Sequence, residues 1–95
     1  MKPKAANQYA PWKIGANYFI RTVTHHYTGK LVAVYATELV FVDAAWIADD
    51  GRFTQAMAGG EFAEVEPWPA DVEVIIGRGA ILDACERASI PRSQK

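Results

Sequence analysis

Lys30-Leu31-Val32-Ala33-Val34-Tyr35-Ala36-Thr37-Glu38-Leu39-Val40-Phe41-Val42-Asp43 is the stretch whose reading decides the fold class. Two runs dense in β-branched and aromatic side chains flank Ala36-Thr37, a link so short that the runs can only pair antiparallel. Successive strand residues point to opposite sides, so Leu39, Phe41 and Asp43 share one face and Val40 and Val42 the other. Apolar groups on both faces describe a strand that is covered on both sides. A small closed barrel or an oligomer interface would do this.

Upstream, Tyr18-Phe19-Ile20-Arg21-Thr22-Val23-Thr24 reads as a first strand, followed by His25 to Gly29, with Gly29 free to take positive φ at a turn or bulge. Downstream, Ala44 to Ala48 extends the third strand or bends away from it, and Asp49-Asp50-Gly51 is a turn. Arg52 to Ala58 suits a short helix stopped by Gly59-Gly60, with Phe53, Ala56 and Met57 facing the core together. The acidic segment Glu61 to Asp71 closes with Pro67-Trp68-Pro69, and the prolines exclude a central strand. Val72 to Ile76 makes a fourth strand, Gly77-Arg78-Gly79 a sharp bend and Ala80 to Cys85 a fifth. The expected architecture is a mainly β, five-stranded SH3-like barrel with one short inserted helix. It spans residues 17–86 with an insertion at about 44–71, flanked by an N-terminal arm (1–16) and a C-terminal tail (87–95).

Ninety-five residues, 51% of them hydrophobic, make one folded domain. The net charge of -1 is a cancellation. Residues 1–13 carry Lys2, Lys4 and Lys13 with no acid, and residues 87–95 carry Arg87, Arg92 and Lys95 with no acid. All 11 acids fall in 14–86, against Arg21, Lys30, Arg52 and Arg78, which leaves +3, -7 and +3 along the chain. An acidic body with basic ends argues against a nucleic-acid-binding face. Met1 to Ala10 has no apolar core of a secretory signal, and the longest apolar run, Leu31–Ala36, falls far short of the roughly 20 residues of a membrane helix. The lone Cys85 excludes a disulfide framework or a multi-cysteine zinc site and fits a reducing cytoplasm.

Few residues suggest chemistry. His25 and His26 point to opposite faces of a strand and cannot readily clamp one metal. Cys85 is expected to be a buried, inert thiol, and Asp49-Asp50 to serve the turn. Gly77-Arg78-Gly79 could surround a phosphate, but a structural bend explains both glycines. Trp12, Trp46 and Trp68 are expected in core or interface packing, and Glu61, Glu64 and Glu66 on a solvated face. Neither a catalytic constellation nor a cofactor or metal site is expected, and the chain reads as non-enzymatic.

Two resemblances add to this reading. Gly29-Lys30-Leu31 through Val42-Asp43-Ala44 resembles the first motif of Sm, LSm and Hfq proteins, and Ile76-Gly77-Arg78-Gly79-Ala80-Ile81-Leu82 resembles the second. That family implies a barrel whose edge strands pair between subunits into rings. Tyr35 and Glu38 replace the family's aspartate and base-reading asparagine, so RNA binding does not carry over. The stretches Asn17–Thr24, Leu39–Asp49, Glu64–Pro69, Ile76–Ala80 and Pro91–Lys95 are similar to a family of small, uncharacterised tailed-bacteriophage proteins. The implied role is a phage structural or accessory protein, in the virion, assembling with itself or other virion proteins through barrel edges and basic arms. Lys4, Trp12, Ile14, Ile90 and Arg92 are its candidate interface residues. The first alternative is a host-cytoplasmic anti-defence protein that sequesters a nucleotide signal with Arg21, Arg78 and Gly79. An Hfq-like RNA-binding role is the second.

Overall fold

The two runs that open the sequence reading form the centre of the sheet. In the computed structural model, which describes residues 11–95, β1 (Asn17–Thr22), β2 (His26–Val34) and β3 (Glu38–Asp49) form an antiparallel meander. The first turn falls at Val23–His25, earlier than expected. Thr22 fixes it, because its hydroxyl donates to the His25 carbonyl (2.8 Å) and accepts from the His25 amide (3.0 Å). Gly29 therefore lies inside β2, opposite Tyr18, and serves close approach instead of turning. A Cβ there would stand 3.0 Å from the Phe41 Cβ. The second turn is as tight as expected, with the Tyr35 amide donating to the Glu38 carbonyl at 2.8 Å.

β3 continues through Ala44–Asp49 and supports three neighbours. β2 runs along one side; on the other, β5 (Val74–Gly77) pairs with Glu38–Phe41 and β4 (Glu64–Pro67) with Ala45–Asp49. Asp43, with φ of 52°, separates the halves as a β-bulge: Thr28 pairs with Ala45 but Lys30 with Val42, one residue too many on β3. The extra residue shifts the alternation. Leu39, Phe41 and Ala44 enter one buried cluster while Ala45 and Ile47 enter another, and Asp43 leaves the face on which strict alternation put it.

The expected closed five-stranded barrel is replaced by an open antiparallel sheet of six strands with one short helix. The added strand is β4, inside the segment whose prolines argued against a central strand. β4 is not central: it sits outboard of β3 and ends at Pro67. β6 (Ile81–Arg87) pairs with β1, so β5 and β6 lie at opposite ends of the path β5-β3-β2-β1-β6. Only the 3-10 turn Arg78–Ala80 separates them along the chain. The sheet must therefore curl until its ends are neighbours, although no ladder joins them among the described residues.

Curling gives the sheet two cores. Tyr18, Ile20, Leu31, Leu39, Phe41 and Ile76 fill one side; Phe19, Ala45, Ile47, Phe62 and Val65 fill the other under α1 (Phe53–Met57). Each large side chain so buried contributes about 1.5–3 kcal/mol. On α1, Ala56 is buried, but Phe53 is largely exposed and lies under the Arg21 guanidinium, 5.0 Å from its ring centre. Arg87 caps the helix from β6. Its guanidinium donates to the Ala56 and Gly60 carbonyls while stacking on Phe62 at 4.6 Å.

Candidate interaction surfaces

Among the described residues, three strand edges have no neighbouring strand of the sheet: the outer sides of β4, β5 and β6. An edge offers unpaired amides and carbonyls, which must be covered, charged or shared. On β4 the C-terminal tail covers it. Lys95 and Val65 exchange both backbone hydrogen bonds, at 2.9 Å each, and the Arg92 guanidinium donates to the Ala44 carbonyl (3.4 Å) and the Trp68 carbonyl (3.2 Å), 3.7 Å from Asp43. Nothing comparable lies along β5 or β6 among the described residues. Both strands expose apolar side chains instead, Ile75 at 67% and Leu82 at 68%, with Val23 and Tyr35 also exposed.

The second surface is an aromatic groove of about 400 Å³ where β2, β3 and β4 meet. Tyr27, cross-strand partner of Trp46, lies 5.8 Å from the ring of Trp68, whose amide is fixed by the Ala44 carbonyl at 2.8 Å. His25 stacks on Tyr27 (6.0 Å) and meets the edge of Trp46 (5.8 Å). Pro67, Pro69 and Glu66 complete the lining. As strand alternation requires, His26 points the other way. It packs on Phe19 and places Nδ1 2.9 Å from both carboxylate oxygens of Asp50. Asp49 serves the turn as expected, accepting from the Gly51 amide at 2.8 Å.

The residues singled out from sequence do not converge on one site. Lys4 lies outside the described residues. Trp12 packs edge-on against Tyr18 at 5.0 Å, which makes it an anchor on its own domain, while Ile14 is exposed. Ile90 is half-buried, and Arg92 grips its own body. The two arginines of the phosphate reading are engaged separately. Arg21 forms a bidentate pair with Asp83, and Arg78 donates to the Tyr35 carbonyl at 2.9 Å while Gly79 faces open space. Hydrogen bonding to Asp83 raises the Arg21 guanidinium above its ordinary range, and the same bond holds Asp83 below the usual carboxylate range. Cys85 is exposed, contrary to expectation, because it stands on the edge strand β6, where α1 reaches it only through Met57, whose sulfur is 3.8 Å from its own. No group of three or more metal-ligating side chains occurs among the described residues.

Compared with protein-family models, curated proteins and solved structures, the chain matches none of them. Its surfaces therefore have to speak for themselves. The groove was hidden in the sequence because Trp46 and Trp68 meet only through the pairing of β3 with β4. The cover on β4 was hidden because Lys95 and Val65 are distant in sequence.

Proposed function

We propose that this chain is a non-enzymatic structural or accessory protein of a tailed-phage particle. In this reading it assembles with copies of itself, or with other virion proteins, through the edges of β5 and β6. The supporting observation is the contrast between edges: β4 is covered by the tail, while among the described residues β5 and β6 have no such cover and carry the exposed Ile75 and Leu82. The two edges differ, so joining β5 of one copy to β6 of the next is a head-to-tail contact, which closes into a ring when the rotation permits. The curled sheet, with its 3-10 link between those strands, then acts as a small Sm/SH3-like barrel, and the phage setting rests on the sequence resemblance. Native mass spectrometry of the purified chain should give a discrete oligomer, and proteomic analysis of purified virions should find the chain at an integral copy number. A monomer at all concentrations, together with absence from virions, would overturn the reading.

The nucleotide-sequestering alternative has less support. Arg21 is already neutralised by Asp83, and Arg78 is held to the Tyr35 carbonyl. For RNA binding, Glu38 sets a carboxylate at the same turn as Arg78, where it would repel phosphate.

A further inference from the structure

The aromatic groove has a chemistry that the edges lack. Tyr27, Trp46 and Trp68 line one cavity together with His25, and Glu66 adds a carboxylate to its wall. Ring faces carry negative electrostatic potential, so aromatics beside a carboxylate attract a cation carried on an apolar stem, and proline rings pack on the same surfaces. Glu66 accepts a hydrogen bond from Gln94 (3.3 Å), and among the described residues no basic side chain pairs with it or with Glu64 on the same strand. Arg92, nearby, is occupied by Asp43 and by backbone carbonyls. The groove offers a complete set of partners for a lysine.

We infer that this groove receives Lys2-Pro3-Lys4 from the N-terminal arm of a second copy of the chain. The inference rests on the head-to-tail reading above. Three considerations carry it. The arm has the matching chemistry, two lysines around a proline with no acid in residues 1–13, set against a body of net -7. Its root is at the correct end of the sheet, since Pro11 and Trp12 line a cavity with Ile81, Leu82 and Ala84 of β6. Its length suffices. If β6 of one copy pairs with β5 of the next, the neighbour's β3 is two strands away. Two strand spacings are about 10 Å, and the five residues from Phe41 to Trp46 add about 16 Å. Lys4 and Lys2 stand seven and nine residues before Pro11, lengths that can span roughly 23 to 32 Å. Arms crossing in this way would bring positive charge onto acidic bodies that otherwise repel one another.

The test uses an equal mixture of nitrogen-15-labelled and unlabelled full-length chain, joined by a zero-length amine–carboxylate cross-linker and digested. The expected product couples Lys2 or Lys4 of one isotope to Glu66 or Glu64 of the other. Coupling confined to same-isotope pairs, coupling of the arm lysines to other carboxylates, or no coupling would overturn the inference. Native mass on the same sample separates the two readings: an oligomer without the mixed-isotope link removes only the arm docking, while a monomer removes the assembly as well. The charge reversal K2E/K4E is checked for an unchanged thermal unfolding midpoint before its association is measured. It should weaken association about 3- to 10-fold at low salt, and adding E66K should recover most of that loss. Unchanged association in K2E/K4E, or no recovery with E66K, would count against the docking.

Discussion

The edge of β4 and the edges of β5 and β6 pose the same physical problem and receive opposite treatments. Along β4, Lys95 completes a backbone pair with Val65, and Arg92 clamps the tail to Ala44, Trp68 and Asp43. Along β5 and β6, among the described residues, the backbone is left without such cover, and Ile75 and Leu82 stand exposed, with Asp83 and Glu86 also exposed on β6. Among the described residues the tail covers one edge and leaves two bare, so the edges are not equivalent. Exposed apolar groups are ordinary when scattered, but two of them on neighbouring bare strands are the feature on which the proposed assembly rests.

The largest effect should come from charging the bare edges. Ile75→Lys with Leu82→Lys should abolish self-association, at least about 100-fold by analytical ultracentrifugation, because each lysine would have to be desolvated in the contact. Thermal stability should barely move, since both positions are exposed in the single chain. Retained oligomers would break the comparison. Next, Arg92→Ala should loosen the sealed edge, costing about 1–2 kcal/mol in urea unfolding from the loss of charge-assisted hydrogen bonds. Amide exchange at Val65 should rise with it.

A smaller effect, of the opposite sign, is expected in the middle of the sheet. The Thr28 hydroxyl is fully buried without a partner, so Thr28→Val should stabilise the fold by about 1 kcal/mol while leaving assembly unchanged. The smallest effect concerns how β6 is attached to β1. Asp83 has its acidity increased by Arg21, so the pair contributes above the ordinary carboxylate range and is lost as pH falls through the depressed value. Both groups are exposed, so the contribution is slight. Asp83→Asn should flatten the acid limb of a stability–pH curve without altering its course near neutrality.

The sequence disclosed the parts of this architecture that depend on local pattern. The hairpin around Ala36-Thr37 was legible because β-branched runs leave few alternatives, and the opposite facing of His25 and His26 follows from strand alternation. Gly29 misled because a glycine permits a turn and also permits close packing, and only Phe41 across the sheet decides between them. β4 escaped notice because prolines exclude a central strand yet are compatible with the end of an outer one. The bulge at Asp43 carries no clear local signal, since any aspartate in a strand could simply face solvent. The aromatic groove was legible only as separate tryptophans.

The left-handed Asp43 has a consequence for cooperativity. By shifting the alternation midway, it makes β3 a shared spine for two units: the curled meander with β5 and β6, and an outboard unit of α1 and β4 under the tail. The units join along β3, through Phe19 packed on Phe62, and across Arg21, His26 and Arg87; the outboard part, which has the smaller core, is expected to open first. Exchange protection should therefore fall into two tiers divided at residue 43. A chain so divided can vary the unit that carries Trp68 and Glu66 without disturbing the strands proposed to meet a neighbour.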